Sequence, residues 1–372
     1  MKQDVFTHAN TQSMVWDLPL RLFHWLLLAA VAVAGITGFL LPATWLNIHL
    51  IAGTTLAVLL LFRLVWGFTG SSFSRFRSFA FSPRAIIAYA RAQLRGTAEH
   101  FTGHNPLGAA MIFALLAVLA GLVATGLVVL GGAEKQGPLR ALISFAVGNG
   151  VRELHEIAAY GLLGLIAAHV AGVIIEGRRT GENLPRAMIT GRKSMAAHDR
   201  IQPPRHAAAI VAAAALAVGL GVPLLMLWRM PPAGVPAAAL DPTYAKECGD
   251  CHNAFHPSLL TAATWTAVMA TLDDHFGEDA SLAGETATRL VSYLDANAAD
   301  HWDTRAANVF RTMGVTDPLR ITGTPYWTRR HGGIEEAVFK SARVASRSNC
   351  EACHGDARQG LFTPQAIKIP KE

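Results

Sequence analysis

All four cysteines of the chain lie in two copies of one motif, Cys-x-x-Cys-His. The copies consist of Cys248, Cys251 and His252, and of Cys350, Cys353 and His354. This spacing is the attachment signature of c-type haem, in which both thiols bond to the porphyrin and the adjacent histidine ligates iron. A zinc site shared by the two cysteine pairs, or a redox dithiol, is the alternative. A histidine follows each pair and no cysteine is left over, which favours two covalently bound haems c.

Each haem iron needs a second axial ligand, and several residues between the two motifs could supply it. The candidates are His256, His275, His301, His331, Met269 and Met313. His256 follows His252 by one helical turn and would lie on the same side of the iron, which disfavours it for the first haem. His275 and His331 lie in loop-like sequence that could reach across a haem plane. They are the favoured distal ligands, and a solvated surface histidine is the alternative for each.

Four further histidines lie within or at the ends of long apolar segments: His24, His49, His155 and His169. An ionisable side chain inside a membrane is costly and indicates a function. His155 and His169 are separated by a rotation within ~40° of four full helical turns and by a rise of about 21 Å. They therefore face the same side of one helix at two depths. Helix packing through histidine hydrogen bonds is the alternative.

The elements that must carry these histidines are membrane helices. With 52% hydrophobic residues and a mean hydropathy of +0.32, the chain is too apolar for an ordinary soluble protein. Five segments are long enough to cross a hydrocarbon core of ~30 Å, and the first is too long for a cleaved signal peptide. They cover approximately residues 20–41, 47–68, 106–131, 153–176 and 207–228.

The charge of the connections predicts the orientation of these helices. The connections 69–105 and 177–206 carry five and seven basic residues, whereas 42–46 carries none and 132–152 carries three. By the positive-inside rule, the N-terminus is cytoplasmic and everything after the fifth helix is periplasmic. We therefore expect a protein of the bacterial inner membrane.

Charge and hydropathy divide the chain near residue 242. Residues 1–240 carry a net charge of +10 and residues 241–372 a net charge of −4. The basic residues lie in short loops between apolar segments, which argues against nucleic-acid binding. We expect three parts: a membrane domain of four helices over residues 1–200, a fifth helix with a Pro/Ala-rich linker over 201–242, and a soluble domain over 243–372.

The direction of each helix assigns a partner to each membrane histidine. His24 and His169 are expected near the cytoplasmic surface, and His49 and His155 near the outer surface. Two pairs at two depths are the arrangement that two bis-histidine haems b stacked across a membrane require. Two arginines near helix ends could pair with haem propionates, although snorkelling to the interface is the simpler explanation. They are Arg21 and Arg63.

The stretches VWDLPLRLFHW, NIHLIAGTTLAVLLLFRLVWGF and HEIAAYGLLGLIAAH resemble the bacterial cytochrome b561 family, which includes the b-type membrane subunit of nickel–iron hydrogenases. The likeness covers roughly residues 14 to 200. It implies a four-helix protein with two haems b that exchanges electrons with membrane quinone. The family's ligand pattern falls on His24, His49, His155 and His169. The fifth helix is not part of that core and is interpreted as a tether.

Residues 245–370 resemble the bacterial dihaem cytochrome c family in CGDCHNAFHPSLL, LDDHFGEDASL, RRHGGIEEAVF and SNCEACHGDARQGLF. The resemblance implies that both haems c have two histidine ligands, and the matching distal positions are His275 and His331. Pairing of His275 with the first haem and His331 with the second is favoured, and the exchanged pairing is the alternative.

Together these features predict an all-α protein that moves electrons between membrane quinone and a periplasmic redox partner, with quinol oxidised and electrons passed outward. Bis-histidine iron has no vacant position, which favours electron transfer over oxygen chemistry. The alternatives are superoxide oxidation at the periplasmic face with quinone reduction, and an electron-accepting membrane anchor for a periplasmic oxidoreductase. The expected cofactors are two haems b and two haems c, with quinone as substrate. The expected partners are membrane lipid, quinone and a periplasmic carrier or oxidoreductase, with no nucleic acid and with homo-oligomerisation left open.

Overall fold

The computed structural model describes residues 12–194, 206–228, 240–313 and 319–370. These residues are mostly helical, as the sequence predicts. By their contacts they form two compact units. The first contains the described residues of 1–40, 48–126 and 152–226, and the second those of 41–47, 127–151 and 227–372.

Four helices are long and apolar enough to cross a membrane. They are α1, Leu18–Gly35, which continues through a π-helical turn at Ile36–Leu40; α2, Leu46–Thr69, preceded by a turn at Ala43–Trp45; α4, Pro106–Gly132; and α5, Phe145–Thr180. In each of them, at most 17% of the most apolar stretch is buried inside the protein. Their outward-facing apolar side chains are suited to contact with lipid.

The helices differ from the predicted spans mainly at two places. The fourth span, predicted for residues 153–176, belongs to the longer α5, which begins at Phe145. The fifth prediction coincides with a helix, α7 at His206–Trp228, whose described apolar stretch is Ala213–Val222. That α7 crosses the membrane stays a prediction, and the linker predicted after it lies almost entirely outside the described residues.

The first unit also contains shorter elements. They are α3, Pro83–Leu94; α6, Leu184–Thr190; and an antiparallel pair of strands, β1 at Gln12–Met14 and β2 at Arg192–Ser194. The carboxylate of Asp17 caps the start of α1 by accepting from the backbone N–H of Leu20 at 2.9 Å. It also accepts from the indole of the fully buried Trp66 at 3.1 Å and from the hydroxyl of Ser71 at 2.6 Å. This one acceptor therefore ties the start of α1 to the end of α2.

The second unit is built from short helices and turns. Its helices are α8, Pro242–Glu247; α9, Ala262–Met269; α10, Gly284–Ala296; α11, Arg305–Met313; α12, Pro325–His331; and α13, Glu336–Lys340. The larger of its two apolar clusters is centred on Tyr244, Leu259, Trp265, Leu290 and Leu294. The smaller cluster consists of Trp327, Phe339 and Val344.

Within the second unit, residues 127–151 contact the C-terminal region through ion pairs. The ammonium group of Lys135 is almost completely buried and donates to the carboxylate of Asp303, which also accepts from the backbone N–H of Phe145 at 2.9 Å. Arg305 forms a second ion pair, with Glu134. These contacts group the α4–α5 connection with the C-terminal residues, although sequence order assigns that connection to the predicted membrane domain.

Candidate functional site

Two membrane histidines, His49 on α2 and His155 on α5, face each other in the first unit. Their ring centres are 6.4 Å apart and their planes are inclined by 74°. A nitrogen–metal bond of roughly 2 Å on each side, with roughly 1.2 Å more from each nitrogen to its ring centre, gives a separation of roughly 6.4 Å. The two rings therefore have the spacing of axial ligands on opposite faces of one haem iron.

The Nδ1 atom of each of these rings is held by the neighbouring helix. Nδ1 of His49 lies 3.1 Å from the carbonyl oxygen of Ala34 and 3.1 Å from the hydroxyl of Thr37, both on the α1 segment. Nδ1 of His155 lies 2.9 Å from the hydroxyl of Thr125 on α4. Because Nδ1 is engaged, Nε2 is the nitrogen available to a metal, and such second contacts fix the ring orientation of metal-binding histidines. The sequence analysis did not identify either threonine.

The other predicted membrane pair, His24 on α1 and His169 on α5, lies close enough for the two rings to interact electrostatically. Nδ1 of His24 is buried and has no hydrogen-bond partner within the described part of the chain. Within the described part of the chain, the His24 ring therefore has no second contact of the kind that holds His49 and His155.

A third histidine, His104, lies next to this second pair and was missed by the sequence analysis. Its ring packs between Trp16 and Phe79, with centres 4.7 and 4.8 Å away, and it interacts electrostatically with His169. Burial above all lowers the pKa of His104 to about 3, so its ring is neutral at physiological pH. His104 precedes α4 in a polar loop, outside any apolar segment, so its position in the sequence gives no signal of a membrane site.

Two arginines of the first unit retain buried nitrogen atoms without a hydrogen-bond partner among the described residues. Arg63 is only 3% exposed, its guanidinium lies 4.5 Å from the ring centre of Phe76, and its Nη1 has no hydrogen-bond partner among the described residues. Arg21 donates to the carbonyl of Ile189 but leaves its buried Nε unpaired within the same described set. A carboxylate would satisfy either group, so both residues fit the propionates of a haem b.

In the second unit, His275 lies opposite His252 of the first Cys-x-x-Cys-His motif. The ring centres are 6.2 Å apart, again the spacing of two axial ligands, and the planes are inclined by only 32°. Nδ1 of His252 lies 2.9 Å from the carbonyl oxygen of Asn253. Burial, followed by the nearby His252, lowers the pKa of His275 and favours the neutral ring that can bind a metal.

His331 lies opposite His354 of the second motif. These ring centres are 6.1 Å apart and the planes are inclined by 68°. His331 stacks on Trp327, with centres 4.5 Å apart, and its Nδ1 lies 2.9 Å from the Trp327 carbonyl oxygen. Burial, followed by the nearby His331, lowers the pKa of His354. The structure thus brings each favoured distal histidine to the motif with which the sequence analysis preferred to pair it.

The four cysteines are free thiols and do not pair with one another. Burial raises the pKa of Cys248 and of Cys350 to about 11, so these thiols stay protonated and poorly reactive as they stand. Among the described residues, no group of three or more His, Cys, Asp or Glu side chains could hold a metal ion. The described residues thus do not bring the two cysteine pairs together as a shared zinc site would require, and free thiols fit bonding to a porphyrin.

The remaining distal candidates lie elsewhere. His256 is 3% exposed and caps the turn Pro257–Leu259, with Nδ1 2.7 Å from the hydroxyl of Ser258. Burial lowers the pKa of His256 to about 4. Met269 packs against the larger apolar cluster, His301 is exposed, and the side chain of Met313 lies outside the described part of the chain.

Two family models match the chain, and they match separate regions. Residues 15–191 match the model described as prokaryotic cytochrome b561. Residues 244–362 match the model described as dihaem cytochrome c. The first region contains all four membrane histidines, and the second contains both Cys-x-x-Cys-His motifs and both distal histidines.

Relatives and solved structures each match a part of the chain. The "Probable Ni/Fe-hydrogenase 1 B-type cytochrome subunit" of Escherichia coli (strain K12) is 23% identical over 216 residues, which cover 48% of this chain and 90% of that protein. A diheme cytochrome c from Rhodobacter sphaeroides is 44% identical, with 34% of this chain and 100% of that chain covered and a TM-score of 0.29. A diheme cytochrome type c from Shewanella baltica OS155 is 32% identical, with 35% and 92% covered and a TM-score of 0.28.

Proposed function

Because the chain belongs to the prokaryotic cytochrome b561 family over residues 15–191 and to the dihaem cytochrome c family over residues 244–362, we propose that it oxidises membrane quinol and passes the electrons to a periplasmic redox protein. The b561 region binds haem b, the dihaem region binds two haems c, and together they make the chain a transmembrane electron carrier. The quinol donor, the outward direction and the periplasmic acceptor are the proposed parts.

The observation that carries this proposal is the spacing of the histidine rings. Three pairs have ring centres 6.1 to 6.4 Å apart, which matches two axial ligands on one iron. Bound haem supplies one-electron redox chemistry, and an iron with two histidine ligands has no position left for oxygen or substrate. The chain's own residues therefore hold and orient the haems and limit them to electron transfer. We propose His24 and His169 as the ligands of the fourth haem.

The predicted orientation supports a redox partner in the periplasm. The connections rich in Arg and Lys lie at one end of the helices, and by the positive-inside rule that end is cytoplasmic. The residues after α7 are then periplasmic, on the side of the membrane where haem c is attached. In this orientation His49 and His155 ligate the haem b of the periplasmic half, from which electrons leave the membrane.

A second candidate is favoured by the relative from Escherichia coli, whose name describes a B-type cytochrome subunit of a hydrogenase. On this reading a periplasmic oxidoreductase reduces the haems c, and electrons then pass inward to quinone. The same ligands serve both directions, so the two candidates differ in which haems are reduced first.

Rapid mixing of the oxidised full-length protein with a soluble quinol analogue, without oxygen, tests the proposal. We expect the haem b absorbance to change first and the haem c absorbance to follow. His155→Ala should abolish haem c reduction by quinol, whereas the matched variant His301→Ala, at an exposed histidine outside the ligand pairs, should behave as wild type. If quinol reduces no haem, or if the reduced protein is not reoxidised by the quinone analogue, coupling to quinone is refuted.

A further inference from the structure

His49 and His155, the two histidines proposed to bind one haem b, are each contacted by the same local sequence. A Thr-Gly dipeptide lies on the helix that precedes each histidine-bearing helix in the chain. Thr37 and Gly38 follow α1 and face His49 on α2, and Thr125 and Gly126 on α4 face His155 on α5. The same two residue types therefore contact the same ring atoms on both sides of the pair.

The hydroxyl groups act as hydrogen-bond acceptors for the rings. The Thr37 hydroxyl donates its only proton within its own helix, to the carbonyl oxygen of Val33 at 2.7 Å. The Thr125 hydroxyl donates likewise to the carbonyl oxygen of Gly121 at 2.8 Å. Since each proton is used in this way, the hydroxyl oxygen can only accept from Nδ1–H of the facing histidine. Each threonine thus accepts from the tautomer that presents a free Nε2, as do the backbone carbonyl of Ala34 beside His49 and that of Leu122 beside His155.

The glycines provide the space in which the rings lie close to the helix. A Cβ atom at Gly38 would lie 3.4 Å from Cε1 of His49, and one at Gly126 would lie 3.3 Å from Cε1 of His155. The contact at Gly126 is tighter than ordinary van der Waals packing and the one at Gly38 lies at its limit, so a side chain at Gly126 would push the ring away and one at Gly38 would leave it no spare room. The threonine therefore fixes one edge of each imidazole, and the glycine lets the adjacent edge approach.

We propose that Thr37 and Thr125 are positioning residues that set the ring orientation and the donor strength of the two axial histidines of one haem b. The inference rests on the proposed ligation of that haem by His49 and His155. A threonine hydroxyl that accepts a hydrogen bond from Nδ1–H increases the negative character of the imidazole. A more electron-rich ligand favours ferric over ferrous iron. The two threonines thus lower the midpoint potential of this haem, each through its own histidine.

The test compares Thr37→Val, Thr125→Val and the double variant in the full-length protein. Valine keeps the shape of threonine but removes the acceptor. Thr55→Val is the matched control, because Thr55 lies on α2, donates to its own helix at 2.8 Å and is exposed. The covalently bound haems c count the protein molecules present, so the ratio of extractable haem b to haem c measures retention independently of yield.

We expect each valine variant to raise the midpoint potential of one haem b and to alter its low-spin ferric EPR signal, with the larger shift in the double variant. The affinity for this haem b should fall about 10-fold or more in the double variant, as for other losses of contacts behind a metal ligand. The ratio of extractable haem b to haem c should fall by at most half, because the other haem b is unaffected. Thr37→Ser and Thr125→Ser retain the hydroxyl and should restore both the potential and the spectrum. Gly126→Ala should alter the EPR signal while leaving the hydroxyl in place.

Two results would overturn the inference, and they differ from those that would refute the ligand assignment. If the valine variants match Thr55→Val in potential and spectrum, the threonines do not position the ligands, whereas the assignment of His49 and His155 stands. If the serine variants fail to restore the potential, the hydroxyl is not the acting group. If His49→Ala and His155→Ala both retain two haems b per chain, the proposed ligation itself is wrong.

Discussion

The proposed ligand pair of His49 and His155 in the membrane region and the two proposed pairs of the dihaem region orient their rings in different ways. His49 and His155 are held by residues on another helix, 12 to 30 positions away in the chain. In the dihaem region, His252 and His331 are held by carbonyl groups only one and four positions away. The membrane site therefore depends on how helices pack together, whereas each dihaem site contains an orienting contact from its own local turn.

The membrane region and the dihaem region would also retain their haems in different ways. In the membrane region nothing but the axial ligands and packing would retain a haem, so loss of one ligand removes a large share of its binding. In the dihaem region two thioether bonds formed by the cysteines would keep the haem in place without the distal histidine. A local turn together with covalent attachment makes a site that tolerates change, whereas a site between helices requires all of its parts.

The largest expected difference between the two kinds of site concerns loss of a ligand. His155→Ala should remove one of the two extractable haems b. His331→Ala should retain both haems c, because the thioether bonds remain, but should leave one iron with a single protein ligand and a high-spin spectrum. Pyridine haemochrome analysis after acid–acetone extraction measures both outcomes. Loss of a haem c from His331→Ala would contradict the comparison.

The pH dependence of the unfolding free energy tests the contribution of His256, a buried histidine of the dihaem region that is not a proposed ligand. Burial lowers the pKa of His256 to about 4, below the ordinary 6.5 that the unfolded chain has. The unfolded state therefore binds more protons between these values, so stability falls as pH decreases from 6.5 to 4, by up to about 3 kcal/mol in total. Urea unfolding of the full-length protein, followed through the haem c absorbance, measures this fall.

Two substitutions separate His256 from the other histidines in that measurement. His256→Asn keeps a capping oxygen for the turn but removes the titrating ring, and it should flatten the profile between pH 6.5 and 4. His301→Asn, at an exposed position, should keep the wild-type profile. A full pH dependence in His256→Asn would assign the effect to another group.

A smaller effect is expected from the ion pair between the α4–α5 connection and the C-terminal region. Asp303→Asn leaves the ammonium group of Lys135, 6% exposed, without its anion, whereas Asp303 itself is 43% exposed. We expect a loss of about 2 kcal/mol of unfolding free energy, less than for a fully buried pair because of that exposure. Glu247→Gln disrupts the exposed pair with Lys246 and should cost less than about 0.5 kcal/mol. Equal losses in the two variants would show that the buried pair has no special role.

The smallest predicted difference changes neither haem content nor stability and concerns only spectral shape. The rings of His252 and His275 are inclined by 32°, whereas the pairs with His331 and with His155 are inclined by 68° and 74°. Nearly perpendicular imidazoles leave two iron d orbitals close in energy and give a strongly anisotropic low-spin ferric EPR signal. Nearly parallel rings give a rhombic one. We therefore expect one rhombic haem c and one anisotropic haem c, and His331→Ala should remove the anisotropic haem c signal. Two rhombic haem c signals would contradict these angles.

Much of the haem chemistry could be predicted from sequence, since it depends on short spacings. The two Cys-x-x-Cys-His motifs are contiguous, and the shared face of His155 and His169 follows from the fixed rotation per residue of an α-helix. Four membrane-length helices followed from the length of the apolar segments alone. Each of these properties is set by covalent connectivity or by one regular element, so no knowledge of packing was needed.

The remaining features depend on residues distant in sequence that only the folded chain brings together. Two such features are ring pairs, His275 with His252 and His331 with His354. The others are the contacts of Thr37 and Thr125 with the membrane histidines, the approach of His104 to His169, and the burial of Lys135 against Asp303. None of them has a sequence period or a motif, because the rotation and depth at which two elements meet arise from packing over their whole length. The sequence alone determined which haems this protein can bind. The tertiary structure decided which rings face each other and which groups orient them, because those distances depend on how separate elements pack.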